Sequence, residues 1–332
     1  MKALRGVALA LLLLALPARA DEAREVRIAQ QFGIAYLPLI VIKEQHLLER
    51  FAGAAGLPEL TVNWWQFSSA TGMNDALLSG NLDFASGGIA PLITLWARTL
   101  RGLKVRALAT LGSIPNDLNT NRAALKALGD FTAQDRIALP AVGVSVQAIM
   151  LQMATEQAFG AGQYGRLDPL TVSMSHPDGA AALLSGRLEV TAHFTSPPFQ
   201  QQELEDPRIH RVLSSYDVLG GPHTFNTVWC TTKFHDDNPR VAGAMLAALD
   251  QAMAFISSDP AAAAALYLAS EKPNLSADFV RGLIAAPENH YTTVPENSMK
   301  FAAFQHRVGL IKELPARWQD LFFPELHDRP GS

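Results

Sequence analysis

The sequence predicts an α/β protein of two lobes, each built on a mostly parallel sheet flanked by helices. Three observations carry this. Short β-branched runs alternate with helical runs through the first two thirds of the chain, the pattern of βαβ units. One stretch of that alternation occurs twice. The chain has 332 residues and a single cysteine, long enough to bury a large core without disulfides and to divide into about two domains.

In chain order, residues 26–30 read as a strand, 38–49 as a helix, 60–67 as a strand, 71–79 as a helix, 82–86 as a short strand and 105–111 as another. The cycle then restarts, with a strand at 136–139, a helix at 145–159, a strand at 170–173, a helix at 178–185 and a strand at 188–194. An apolar strand-like run covers 225–231, and Cys230 within it reads as a small buried hydrophobe. Beyond it the pattern turns helical. In 238–258 the residues Ala242, Met245, Leu246, Leu249, Met253 and Ile256 recur at three- and four-residue steps, one face of an amphipathic helix. Helical patterns continue at 261–269 and 277–284.

The repeated stretch is ALLSGNLD at 76–83 and ALLSGRLE at 182–189. Each copy reads as the end of a helix, a glycine stop and the start of a strand, with Gly80 and Gly186 suited to a left-handed C-terminal cap. Pro91 and Pro197 follow at the same distance. The spacing is far too long for a solenoid and fits two lobes of one design.

The first 20 residues have the three parts of an export signal. Lys2 and Arg5 give a positive start, 7–16 is apolar, and Pro17 precedes Ala18-Arg19-Ala20, which offers small residues at the two positions a signal peptidase reads. The apolar run is about half the ~20 residues a spanning helix needs, and no later segment reaches that length without a charge or a breaker. Cleavage after Ala20 exposes Asp21, with no cysteine nearby for lipid attachment. The remainder carries 24 basic and 31 acidic residues, a net charge of −7 with histidine neutral. That balance argues against nucleic acid or an anionic membrane as the partner. It leaves room for a small anion held by local dipoles.

Ligands of open parallel sheets bind beyond the carboxyl ends of the strands. The corresponding loops are 33–37, 68–72, 87–91, 141–147, 175–178 and 193–197. They are rich in Gly, Ser and Thr, and several lead into helix N-termini, whose free N–H groups and positive dipole end suit an anion. Ser145 follows a strand and opens an amphipathic helix, so it is expected as an N-cap with the amides of Val146 and Gln147 facing the cleft. Ser68 and Ser69, with Thr71, form the equivalent group of the other lobe. Gly87 and Gly88 offer close backbone approach. Tyr36 and Trp229 are candidate walls, while Trp64, Trp65 and Phe67 read mostly as core. His176, His193 and His223, together with Thr195, lie on or beside the predicted cleft loops as neutral or charged donors. No Arg or Lys falls clearly on these loops.

In order and spacing, several of these features resemble a known family. They are Gly33 with Tyr36-Leu37-Pro38, the 76–83 stretch (like "ALxxGxID"), Gly87 to Pro91, residues 137–145 (like "vavpxGS") and residues 193–199 (like "wxxPf"). Together they are similar to the periplasmic solute-binding proteins of ABC importers, in the nitrate/sulfonate/taurine group that also includes thiamine-precursor binders. His193 stands where an aromatic is usual, and Val144 precedes Ser145 where a glycine is common. The resemblance implies a type II clamp whose crossovers lie near 112–118 and 214–224. It implies a first lobe of 26–112 and 225–325, completed by the C-terminal helices, and a second lobe of 113–224. It further implies a monomer in the periplasm without cofactor or catalysis. Such a protein delivers a small organic anion such as a sulfonate, taurine or nitrate to an inner-membrane permease with its ATPase.

Other readings stay open. A thiamine-precursor (pyrimidine) binder has the same fold, as does a sensory module that signals to a membrane partner. A pyrimidine-synthesising enzyme of that fold would need a cysteine-rich motif. Gly143-Val144-Ser145-Val146-Gln147 approaches the G-x-S-x-G elbow of a secreted serine hydrolase with Ser145 as nucleophile, but lacks the last glycine. No metal or nucleotide motif is present, so no metal site is expected.

Overall fold

The structure, a computed structural model, describes residues 22–57, 59–186 and 189–332. The expected export segment, the first residue of the expected strand at 188–194 and part of the second repeat copy lie outside them.

The first half-turn of the fold runs β1 (Glu25–Gln30), α1 (Leu37–Glu44), α2 (Leu47–Ala54), β2 (Thr61–Gln66), α3 (Ala70–Leu78), β3 (Ala85–Gly88), α4 (Ile89–Thr99) and β4 (Val105–Ser113). Next come β5 (Asp117–Thr120), β6 (Ile137–Leu139), α5 (Val146–Phe159), β7 (Thr171–Ser173), α6 (His176–Ser185), β8 (Ala192–Thr195), α7 (Phe199–Leu204), β9 (His210–Ser214) and α8 (Ser215–Leu219). The chain then returns through β10 (Thr224–Thr231) and ends in α9 (Thr232–Asp237), α10 (Pro239–Ser258), α11 (Pro260–Glu271), α12 (Ala277–Ala285) and α13 (Ser298–Arg307).

The strands make two sheets of one design. One has the order β7-β6-β8-β5-β9. The other joins β1-β2 to β3-β10-β4 through a parallel bridge between Ile28 and Phe84, giving β2-β1-β3-β10-β4. In each, four strands run parallel and one, β5 or β10, runs antiparallel between its neighbours. Those are the two strands that have just crossed between sheets: β4 passes to β5 through Ile114–Asn116, and β9 to β10 through α8. The repeat falls on α3–β3 and α6–β8, matching positions of the two sheets, and both stop glycines have positive φ, 75° at Gly80 and 59° at Gly186.

The expected helix at 38–49 is two helices. His46 adopts a left-handed conformation (φ 51°) that separates α1 from α2. The expected strand at 82–86 begins later, because Asp83 is spent on Arg27: its carboxylate accepts from the Arg27 backbone N–H at 2.8 Å and from its guanidinium at 2.8 and 3.0 Å. Trp65 is not core but 57% exposed, since β2 is an edge strand. The helix α10 is long and apolar enough to span a membrane. Its Val241, Met245, Leu249 and Ile256 are instead buried, and it packs on α1 and α2. Cys230 is fully buried, which pushes its thiol far above the ordinary range.

Candidate functional site

Strand ends from both sheets converge on one cleft, which holds about 430 Å³ of empty space when its solvent-open mouth is included. Gln31 and Phe32 follow β1, Ala70 and Thr71 follow β2, and Gly88 ends β3. From the other sheet come Pro140, Ala141 and residues 144–147 after β6, His176 after β7 and Ser196 after β8. Phe225 and Asn226 enter from the antiparallel β10, whose start lies at the same end.

The halves touch on both flanks of the cavity. The Ile34 N–H donates to the Pro197 carbonyl at 3.2 Å, and a Cβ on Gly33 would lie 3.0 Å from that oxygen. A Cβ on Gly88 would lie 2.4 Å from Val146 Cγ2, so β3 and α5 meet only because residue 88 has no side chain.

Four helices aim their N-termini at the cavity. Ala70 and Thr71 open α3, Gly88 caps α4, Val146 and Gln147 open α5, and His176 opens α6. The first turns of α3, α4 and α5 hold no acidic residue, so their positive ends are uncompensated. Among the described residues, no Lys, Arg, Asp or Glu lines the cavity. The polar side chains there are neutral: Gln31, Tyr36, Thr71, Ser145, Gln147, His176, Ser196 and Asn226. Gln31 Nε2 donates to the Tyr36 hydroxyl at 2.8 Å, leaving that hydroxyl's own proton for another acceptor. Burial pushes the Tyr36 phenol far up, partly offset by the nearby Asn226 amide. Asn226 is 1% exposed, yet its Nδ2 has no acceptor in hydrogen-bond geometry.

Of the residues singled out in the sequence, Tyr36, Thr71, Gly88, Ser145, Val146, Gln147 and His176 line this cavity; Ser68, Ser69, Gly87, Trp229, His193, Thr195 and His223 do not. Ser68 is exposed and Ser69 caps α3 without a side-chain bond. Gly87 sits one residue back, where a Cβ would lie 3.1 Å from the Trp229 ring. Trp229 is fully buried as that packing partner and walls nothing. His193 and Thr195 stand behind His176, fully buried: His176 Nδ1 lies 3.2 Å from His193 Nε2 and 3.1 Å from Thr195 Oγ1. His223 belongs to the crossovers, since its Nε2 accepts from the Ser215 hydroxyl at 2.8 Å and its Nδ1 donates to the Thr224 carbonyl at 3.0 Å.

Gln31, Phe32, Pro140, Phe225 and Asn226 were not anticipated. Asn226 had a signal, as a carboxamide inside an otherwise apolar strand run. Placing it at the cleft requires knowing that β10 runs antiparallel.

Ser145 acts as a cap. Its Oγ accepts from the Ala148 N–H at 3.2 Å and donates to the Ala141 carbonyl at 2.9 Å. Both bonds are to backbone, which is not the arrangement of a nucleophile held by a base. Among the described residues no group of three or more His, Cys, Asp and Glu is placed to hold a metal ion.

Two α/β lobes of this topology around one interlobe cleft define a periplasmic-binding-protein fold, and comparison with solved structures agrees. The chain is similar to the alkanesulfonate-binding protein of Xanthomonas axonopodis pv. citri bound to MOPS, at 17% identity and TM-score 0.68, covering 89% of this chain and 96% of that one. It is similar to the nitrate-binding protein of Synechocystis PCC 6803, at 17% identity and TM-score 0.69 over 90% and 84%. It is also similar to the ligand-binding component of an ABC-type import system from Staphylococcus aureus, at 17% identity and TM-score 0.69 over 92% and 98%. Comparison with curated protein sequences finds no match. A family model matches residues 19–270, and the chain belongs to the NMT1-like family.

Proposed function

We propose that this protein is the extracytoplasmic solute-binding component of an ABC importer, exported to the periplasm by residues 1–20. In this reading it works as a monomer and binds without catalysis. The lobe of 26–112 and 225–325 and the lobe of 113–224 close on a small organic anion, of the sulfonate, taurine or nitrate kind. The closed form then docks on an inner-membrane permease with its ATPase. Closure is a population shift paid by contacts to both lobes.

The observation that carries this reading is the convergence of four helix N-termini, three of them without acidic residues, on a cavity whose side chains are all neutral. Oriented N–H dipoles and an unpartnered carboxamide N–H hold an anion without a formal counter-charge. The structural relatives support a clamp of this kind.

A second reading has its own observation. A lining with no ionised group, walled by Phe32, Tyr36 and Phe225, also suits a neutral aromatic ring such as the pyrimidine of a thiamine precursor. Thermal-shift measurements on the mature protein with sulfonates, nitrate, carboxylates and aminopyrimidines separate the two. Stabilisation by an anion supports the first reading, and stabilisation by aminopyrimidines alone supports the second. Stabilisation by none of them, together with esterase turnover lost in Ser145→Ala, would overturn both.

A further inference from the structure

Behind the cavity wall runs a line of buried hydrogen bonds, with the Thr195 hydroxyl branching from it 3.1 Å from His176 Nδ1, able to accept from that nitrogen or donate to it. Gln147 Nε2 lies 3.3 Å from His176 Nε2, His176 Nδ1 lies 3.2 Å from His193 Nε2, and His193 Nδ1 lies 2.5 Å from Glu203 Oε1. All four members are buried, Gln147 and His176 almost completely and His193 and Glu203 completely. The second carboxylate oxygen of Glu203 accepts from Asn119 Nδ2 at 2.9 Å. The packing is fitted to this line. Gly179 of α6 lies against the His193 ring, where a Cβ would come within 2.6 Å of Nε2. Phe199 stacks on His176 with ring centres 5.8 Å apart.

The line admits two proton patterns. With both imidazoles neutral, His193 donates Nδ1–H to Glu203, His176 donates Nδ1–H to His193, and Gln147 donates Nε2–H to His176. The Gln147 oxygen is then left to face the cavity, as an acceptor. One added proton reverses every bond but the first. His193, now imidazolium against Glu203, donates Nε2–H to His176 Nδ1, and His176 donates Nε2–H to the Gln147 oxygen. The carboxamide turns over, and its N–H groups face the ligand.

We propose that Glu203, His193 and His176 are positioning residues that couple anion binding to the uptake of one proton by setting which end of the Gln147 carboxamide faces the cavity. This rests on the anion reading of the site. An anion favours the protonated line for two reasons: it gains N–H donors, and it gains a buried positive charge behind them. Burial and the adjacent imidazole hold His176 well below the usual histidine range, whereas His193 Nδ1 lies 2.5 Å from the Glu203 carboxylate, the partner an imidazolium needs. The other charged groups on the elements around His193 are few. Asp117 lies on the same face of β5 with Arg211 of β9 against it at 3.5 Å, and Asp178 stands at the exposed start of α6. Strand β6 contributes none.

The test is calorimetric titration of the mature protein with ethanesulfonate and with nitrate, from pH 5 to 8, in two buffers of different ionisation enthalpy. The expected result is uptake of about one proton, with Kd rising up to about tenfold per pH unit where the free line loses its proton. Glu203→Gln keeps an acceptor for His193 but cannot balance an imidazolium, so its Kd is expected to stay flat at the weak, high-pH value; His193→Gln should do the same. ¹⁵N imidazole NMR of the wild type gives a readout independent of any variant's folding: both histidines protonated on Nδ1 at pH 8, with a second proton on His193 when the anion binds. Binding without proton uptake overturns the coupling and leaves the anion reading standing. So does an unchanged pH slope in Glu203→Gln. No binding of either anion at any pH overturns both.

Discussion

At the scale of single residues, the two halves of the site are brought together by what is missing as much as by what is present. Gly88 has an extended backbone (φ −64°, ψ 152°) that alanine adopts without strain, so the cost of Gly88→Ala is purely the 2.4 Å overlap with Val146 Cγ2. The expected outcome is a Kd at least tenfold weaker with little loss of thermal stability, because the overlap acts between β3 and α5 and is relieved when they separate. Val146→Ala in the same chain should restore most of the affinity, and calorimetry on the two single variants and the double variant reads that coupling directly. Ser145→Ala tests a different contribution. It removes the cap of α5 and should cost about 1 kcal/mol in urea unfolding, whereas loss of binding with unchanged stability would contradict its role as a cap.

At the scale of elements, much of the fold was legible in the sequence, because βαβ alternation and the glycine stops are local signals. Ser145, with Val146 and Gln147 after it, could be read as the opening of a helix at a strand end, and all three line the cavity; that helix is not amphipathic as expected but buried on nearly all sides through its first ten residues. What could not be read depends on partners distant in the chain. Gly87 and Gly88 are poor strand formers, yet they extend β3 because residues 226–229 of β10 pair with residues 85–88. His193 looked like a ligand donor from its loop and is buried because Glu203, ten residues later, turns back to meet it. His223 is the clearest case. It ties the two crossovers together, since the Ser215 hydroxyl it binds also accepts from the Asn116 N–H at 2.9 Å. Burial lowers its pKa to about 4, below the ordinary ~6.5 of an unfolded chain. The neutral ring therefore contributes its full stability above pH 6.5, and that contribution is lost as the pH falls toward 4, by roughly 3 kcal/mol in all. In His223→Gln this part of the pH dependence should vanish. The stability difference between wild type and variant, from urea unfolding at pH 7 and pH 5, should accordingly shrink toward the acid side.

At the scale of the whole molecule, closure of the proposed clamp depends on how α5 is held at both ends. Its first turn lines the cavity, and its last turn reaches a helix of the C-terminal segment: Glu156 of α5 pairs with Arg307 of α13 at 2.5 Å. Beside them the Tyr164 and Phe304 rings meet edge to face, with centres 6.2 Å apart. The arginine holds the Glu156 carboxyl below its ordinary range, through a hydrogen bond supported by the Gly162 N–H. Helix α5 has 14 residues and is about 21 Å long, so a small displacement at the ion pair becomes a rotation of the Val146 and Gln147 amides away from the ligand. Arg307 is half exposed, which limits the strength of the pair and makes it sensitive to salt. Arg307→Ala should therefore weaken ligand binding by about two- to threefold in low salt and hardly at all in 0.5 M sodium chloride, where the wild-type pair is screened as well. Equal affinities at low salt would mean that the pair only decorates the surface, and that the aromatic contact and the Gly88–Val146 approach alone set the closed geometry.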